Sequence, residues 1–274
     1  LRSTHGDAKL GTGAKVEIAG TGAKVFVNGN DFSLGADAQV DLGTDTKGSF
    51  TLHADIVTDT ADSKTNITGK GVLTLATKTA GHALTINNAP AGAGLHLTSD
   101  QLNGGLFGSD FSTLTIGDAH TGAVTIDGVT ANNNVRIENA GGTNALTIGD
   151  GGFTVGAGKS VTLRAGHIAN STLGEMNVGA GSTLNLYTDD LSGLHQVSGH
   201  SSVNGTGTLG VASYDGSKAI GLGDTAAGAL ALPNNLFTDV FGSGFSHYSI
   251  GSGAQDTINV AGTTLGKNVT LTAK

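Results

Sequence analysis

The residues of this chain whose types could do chemistry are few and scattered. Asp189 and Asp190 form the only adjacent acidic pair, and paired carboxylates are what glycosidases need for acid and base catalysis. Neighbours on one strand point to opposite faces, so we expect this pair at a corner or in solvent. Arg136 and Arg164 follow inward-type residues in strand-like segments and are expected to point outward. These residues do not indicate an enzyme, although polysaccharide-active β-helix enzymes remain an alternative.

The histidines and one glycine-rich acidic segment are the other residues that could do chemistry, because they could bind a metal ion. The segment GDGG at 149–152 is a lone fragment of a calcium-binding nonapeptide pattern and does not recur at nine residues. His195 and His200 are five residues apart and have no third ligand nearby in sequence. We expect no cofactor and no metal site, and a surface or corner position for all nine histidines: His5, His53, His82, His96, His120, His167, His195, His200 and His247.

The composition argues against a helical or α/β enzyme. The 274 residues include 46 Gly and no Cys, and 13% are charged, against about 7% Gly and about 25% charged residues in average proteins. The net charge is -8 and the 14 Lys and Arg form no cluster, so a nucleic-acid partner is not expected. No run approaches the ~18 consecutive apolar residues of a membrane-spanning helix. The chain starts with neither Met nor a signal pattern, and we interpret it as a processed or internal fragment.

Short alternating apolar segments that end in Gly, Asn or Asp run through the whole sequence. Leu114/Ile116, Val124/Ile126 and Val135/Ile137 are examples, and most such pairs are about ten residues apart. This pattern predicts short strands that end in turns. Asn28-Gly29 and Asp127-Gly128 flank too few strand-like residues for stable hairpins.

The short strands favour a β-solenoid over a sandwich or a barrel. In a solenoid each coil stacks on the next, backbone bonds run between coils, and inward Val, Ile and Leu form a continuous core. We therefore predict an all-β, right-handed parallel β-helix over residues 1–274 as a single continuous solenoid. With about 20 residues per coil and a 4.8 Å spacing, it would have about 13 coils and a length of roughly 60 Å.

An internal repeat is the strongest single signal. Residues 102–137 align without a gap to residues 236–271, so that Phe107 and Phe241 stand 134 positions apart. The block Phe-Gly-Ser-x-Phe-Ser-x-x-x-Ile-Gly recurs whole. We interpret the repeat as a module built of several coils.

The aromatic residues of this repeat are the most plausible special feature. Sugar-binding proteins use exposed aromatic faces, whereas Phe in a repeated corner usually fills a small core of its own. Both interpretations stay open for one cluster, a possible partner surface: Phe107, Phe111, Phe241, Phe245, His247 and Tyr248.

Two blocks of the chain carry a family resemblance. LHLTSDQLNGGLFGSDFSTLTIG (95–117) and LALPNNLFTDVFGSGFSHYSIG (230–251), each followed by a TINVAG-like strand, resemble modules of large haemagglutinin-type exoproteins of two-partner secretion systems, the filamentous-haemagglutinin-like family. SVTLRAG (160–166), TLNLYTDDL (183–191) and NVTLTAK (268–274) are similar to the connecting strands of that family.

The resemblance implies a secreted rod at the bacterial cell surface that acts in adhesion, aggregation or biofilm formation. Its partners would be host or bacterial cell-surface glycans or proteins, or neighbouring copies of itself. The parent protein would be exported by an outer-membrane transporter, although the Asn-Pro-Asn motifs of the family's secretion domain are absent here. An alternative function is a self-assembling extracellular filament or matrix subunit that stacks through open solenoid ends.

Overall fold

The computed structural model of this chain is a parallel β-solenoid. It describes residues 6–18, 20–59, 66–87, 94–108 and 110–274. About ten coils stack in parallel, with about 24 residues per turn, and the strands lie on three faces that we name A, B and C. The prediction of an all-β parallel solenoid is confirmed.

Face A is one uninterrupted sheet of ten parallel strands. Its strands, numbered with all others in chain order, are β3 (Lys24–Asn28), β6 (Ser49–His53), β9 (Val72–Ala76), β12 (Thr113–Ile116), β15 (Val135–Glu138), β18 (Ser160–Arg164), β21 (Thr183–Tyr187), β24 (Thr208–Ala212), β27 (His247–Gly251) and β29 (Asn268–Thr272).

Face B carries more strands and is broken into three sheets. Its strands are β1 (Ala8–Leu10), β4 (Asp31–Leu34), β7 (Ile56–Asp59), β10 (Leu84–Asn87), β11 (Leu95–Leu97), β13 (Val124–Asp127), β16 (Ala145–Ile148), β19 (His167–Asn170), β22 (Asp190–Gly193), β25 (Ile220–Leu222), β26 (Leu230–Leu232) and β28 (Ile258–Val260).

Face C has the shortest strands and two sheets. They are β2 (Lys15–Glu17), β5 (Gln39–Asp41), β8 (Ile67–Thr68), β14 (Val129–Ala131), β17 (Phe153–Val155), β20 (Met176–Val178) and β23 (Val203–Gly205). Two short π-helical turns, Gln101–Gly105 and Leu236–Val240, complete the described secondary structure.

Alternation along each strand builds the core. In β18, Val161 and Leu163 are fully buried between partly exposed or exposed neighbours. Because neighbouring strands pair in register, Val161 stacks on Val135 and Leu163 on Ile137. Continuous columns of apolar side chains therefore run along the rod, and their removal from water stabilises the stack.

The coils are longer and fewer than predicted. Lys24 pairs with Ser49, 25 residues further on, and most other neighbouring strands of face A are similarly spaced. Ten stacked strands at 4.8 Å span about 43 Å, which corrects the predicted 60 Å. The estimate of about 20 residues per coil was too low because each ordinary coil contributes a strand to all three faces.

Two coils are much longer than the others. In both, the chain forms two parallel strands on face B, and the second strand lies on the N-terminal side of the first. After β9, the chain forms β10 next to β13 and then places β11 on the other side of β10, towards β7. After β24 it forms β25 next to β28 and then β26 towards β22 in the same way. The strand ladder of face B is interrupted at β7/β11 and at β22/β26. The internal repeat therefore corresponds to a repeated double strand on one face.

The corners are tied by aspartate side chains that accept hydrogen bonds from backbone amides of an adjacent coil. Each bond joins residues 23 to 25 positions apart, which is one coil. The carboxylates and their donors are Asp45 with Gly22, Asp55 with Thr79, Asp127 with Gly151, Asp150 with Leu173 and Asp189 with Tyr214. Corner amides that the ladders leave unpaired gain partners in this way.

Candidate functional site

Phe107 and Phe241 occupy equivalent positions in the core. Each follows a π-helical turn and continues face C through a single parallel bridge, Phe107 to Ile67 and Phe241 to Val203. Both side chains are fully buried. They fill the interior where the chain returns from its doubled strands, and they present no ring face to a partner.

Phe245 and Tyr248 are also core residues. Their ring centroids are 5.9 Å apart and both side chains are almost fully buried. The Tyr248 hydroxyl lies 3.4 Å from the carbonyl oxygen of Gly242, to which it donates, and burial raises the pKa of that hydroxyl. Phe111 packs against the core while remaining partly exposed.

Of the six residues predicted as a possible partner surface, four are therefore interior. The rings of Phe107, Phe241, Phe245 and Tyr248 correct the exposed-aromatic interpretation, because they belong to the hydrophobic core and are almost fully buried. His247 is partly exposed on the outer side of β27. Of the set, His247 and Phe111 are partly exposed, and the nearly buried Tyr248 borders a surface depression.

Phe237 is an accessible aromatic residue that the sequence interpretation missed. Its ring is only partly buried and meets Phe241 and Tyr248 edge-on, at centroid distances of 5.5 Å and 5.4 Å. A depression of about 160 Å³ opens beside it. We name this depression the aromatic pocket; its lining includes Phe237, Tyr248, Leu265, Ser243, Thr264 and Lys267.

The histidines lie at the surface, several of them beside single carboxylates. His167 Nδ1 is 2.9 Å from Asp190, and His53 and His120 are each 3.5 Å from Asp118. His195 and His200 are exposed, whereas His5 lies outside the described residues. Within the described ranges, no group of three or more His, Asp or Glu side chains is arranged to hold a metal ion.

The adjacent acidic pair divides between two separate interactions. Asp189 accepts from the Tyr214 amide at 3.1 Å and pairs with Lys218 at 2.9 Å, while Asp190 contacts His167. Burial alone would raise the pKa of Asp190, but hydrogen bonds from Ser192 and His167 outweigh it and hold the pKa below its usual value. Asp189 thus holds a corner, while Asp190 begins β22 with its side chain about half exposed, and the pair lies at a corner and in solvent as predicted.

Asp150 of the GDGG segment also has a corner role. It accepts from the Ser171 hydroxyl at 2.5 Å and from the Leu173 amide at 3.2 Å. These two bonds hold the pKa of Asp150 below its usual value. The carboxylate connects one coil to the next.

The two described arginines point outward from face A, as predicted, and join a network around Tyr214. The Glu138 carboxylate lies 2.6 Å from an Arg136 guanidinium nitrogen and 3.4 Å from one of Arg164. The Arg164 guanidinium carbon is 3.7 Å from the centroid of the Tyr214 ring. The Tyr214 hydroxyl donates to the carbonyl oxygen of Asn139 at 2.8 Å. Burial is the main cause that raises the pKa of Tyr214.

The stacked parallel coils place the chain in the structural class of β-solenoid proteins. No family profile matches the sequence, and no curated protein or solved structure matches it either. In the described part of the chain, no helix has the length and apolar character needed to cross a bilayer.

Proposed function

We propose that this chain is a stalk and adhesin segment of a secreted bacterial surface exoprotein. The observation that carries the proposal is the uninterrupted ten-stranded sheet of face A, together with the repeated double strand on face B. A stack whose coils bond backbone to backbone is a stiff spacer with a long lateral surface. The family resemblance of the repeated blocks adds the bacterial surface and the adhesive role.

The outer side of face A supports a role in contact with a partner. Thr51, Thr74 and Thr115 stand directly opposite one another on three successive strands, with Arg136 next in the row. Their hydroxyls recur at about 4.8 Å along the rod. Such a row offers flat, uncharged hydrogen-bonding groups to an extended glycan or a protein surface.

Adhesion of the intact chain to cells and to a glycan panel tests the proposal. We expect beads coated with the chain to bind specific cells or glycans above beads coated with an unrelated protein. Replacing Thr51, Thr74 and Thr115 with Arg should weaken that binding, because bulky charges then cover the row. The matched control replaces Thr125 and Thr147 with Arg on face B. Failure of the folded chain to bind any cell or glycan would overturn the adhesive role.

One observation favours a second candidate, a filament or matrix subunit. Val260 and Leu271 in the last described coil are 51% and 47% exposed, whereas their repeat counterparts Ile126 and Ile137 are 0% and 1% exposed. The side chains that form the core elsewhere are thus uncovered here. A further coil stacked on this one, from the same parent protein or from another copy, would cover them and continue the ladders; end-to-end assembly of copies is the second candidate.

Sedimentation velocity over a range of protein concentrations tests this candidate. We expect the wild-type chain to lengthen with concentration and the Leu271→Asp variant to remain monomeric, because a charge cannot enter the stacked core. Thr270→Asp on the same strand is the matched control and should still assemble. A wild-type chain that stays a single monodisperse monomer contradicts end-to-end assembly.

A further inference from the structure

The two copies of the internal repeat differ in how the π-helical turn is joined to the following coil. In the first copy, Asn103 bridges its π-helical turn to the following coil: its amide donates to the carbonyl oxygen of Thr130 at 2.6 Å and its oxygen accepts from the Asn132 amide at 2.9 Å. Asn133 adds a bond to the carbonyl oxygen of Leu102 at 2.9 Å. Three hydrogen bonds thus close the junction.

Among the described residues of the second copy this three-bond bridge is missing, and the junction is joined instead by Asn234, whose side-chain amide donates to the carbonyl oxygen of Gly262 at 2.7 Å. Phe237 stands at the position of Asn103, and Gly266 and Lys267 stand at the positions of Asn132 and Asn133. Among the residues that the structure describes, no hydrogen bond joins 236–240 to 263–267. The aromatic pocket of about 160 Å³ takes the place of the polar bridge.

The groups around the aromatic pocket are of two kinds. Phe237, Tyr248 and Leu265 provide an apolar floor, with Phe237 partly exposed. Ser243 and Thr264 provide hydroxyls at the rim, and Lys267 provides an exposed ammonium group. An apolar floor with a few convergent polar groups is the usual construction of a small-molecule site.

The ammonium group of Lys267 at the rim favours a negatively charged ligand. Lys218 and Lys274 are each paired with a carboxylate at 2.9 Å and 2.8 Å, whereas Lys267 forms no ion pair with any described residue. Its three donors are free to meet an anion. An aromatic floor is suited to the apolar C–H face of a pyranose, and hydroxyls at the rim are suited to its ring hydroxyls.

We propose that the aromatic pocket binds an acidic sugar unit, a pyranose ring that carries a carboxylate. The ring packs on Phe237, the carboxylate pairs with Lys267, and Ser243 and Thr264 hydrogen-bond to the sugar hydroxyls. This assignment rests on the proposed adhesive function, for which it names one ligand class and one place of contact.

Saturation-transfer NMR on the intact chain, with sodium glucuronate as the probe and glucose as the neutral comparison, tests the proposal. Phe237→Asn and Lys267→Asn install the residues of the first copy, Asn103 and Asn133. We expect glucuronate to bind the wild type more tightly than glucose does, and each variant to bind it about tenfold more weakly. Lys274→Asn, which removes another cation of the same coil, is the matched control and should bind like the wild type.

Each outcome decides the assignment. Lys267 is exposed, so its variant keeps the test valid even if Phe237→Asn unfolds the junction. Any of four results overturns the acidic-sugar site. They are no binding of glucuronate, equal binding of glucuronate by the wild type and Lys267→Asn, tighter binding of glucose than of glucuronate, and tighter binding of a glutamate-containing tripeptide than of glucuronate. If glucuronate does not bind but the chain still adheres to cells, the pocket assignment fails alone. If glucuronate binds but no adhesion is found, the adhesive function fails while the site stands.

Discussion

Tyr214 connects parts of the rod that are three coils apart, and its replacement gives a graded prediction. Its hydroxyl donates to the carbonyl oxygen of Asn139, 75 residues earlier, and its ring lies under the guanidinium group of Arg164. Gly141 fits against this ring, since a Cβ there would come within 2.7 Å of the phenol carbon. The side chain therefore acts as a tie across several coil junctions.

We expect Tyr214→Phe to cost about 1–2 kcal/mol, because a buried carbonyl group loses its donor. Tyr214→Ala also removes the ring and its cation–π contact, worth about 0.5–1 kcal/mol at a partly exposed site. Its total cost should be about 3 kcal/mol. The losses should appear at residues 136–141 as well as around position 214, because the tie joins the two regions.

Hydrogen exchange followed by mass spectrometry measures the loss locally, which suits a repeat protein whose coils need not unfold together. Tyr187→Phe is the matched control: the Tyr187 hydroxyl forms no hydrogen bond with any described residue, so we expect less than about 0.5 kcal/mol. Unchanged exchange at 136–141 in Tyr214→Phe, or equal effects of the two Tyr→Phe changes, would refute the tie.

Three further predictions follow from the core, a corner and a turn. Leu163→Ala should cost about 2–5 kcal/mol in a denaturant titration and Thr162→Ala less than about 0.5 kcal/mol, since only Leu163 is buried; equal losses would contradict the assigned register. Burial would raise the pKa of Asp55, but hydrogen bonds from Thr79 hold it below its usual value. The stability that Asp55 contributes is therefore fully present above its unfolded pKa of about 4, and it is lost as the pH falls through the lower folded pKa. The melting temperature of Asp55→Asn should consequently depend less on pH below about 4 than that of the wild type. Gly117→Ala should lower the melting temperature more than Gly13→Ala: both glycines have positive φ, but only at Gly117 would a Cβ overlap a backbone carbonyl, and equal shifts would show that the overlap is relieved.

The solenoid could be predicted from sequence because its code is local. Pairs such as Val135/Ile137 indicate which side chains face inward, and the Gly or Asn that follows such a pair indicates a turn. The double strand on face B could not be predicted in the same way. Leu84/Ile86 and Leu95/Leu97 look like strands of successive faces, yet β10 and β11 pair with each other on one face. Spacing along the sequence does not show which strands pair.

The aromatic residues show a second limit of sequence interpretation. Phe107 and Phe111 belong to one repeated block, but the first is fully buried and the second is partly exposed. The difference arises because only Phe107 follows the π-helical turn into the bridge with Ile67. The contact of Tyr214 with Asn139 is similarly hidden, since it depends on the stacking of intervening coils. The repeat itself could have pointed to Phe237, the aromatic residue that replaces Asn103.

The double strand on face B has a consequence for the shape of a rod made of such modules. From β9 to β21, face A has five strands, counted inclusively, whereas face B has six strands from β10 to β22. Strands are stacked at about 4.8 Å, so one side of the molecule is longer by about that amount for every 134 residues. A succession of these modules would therefore curve with face B on the convex side. The curvature would increase with the number of doubled strands per unit length.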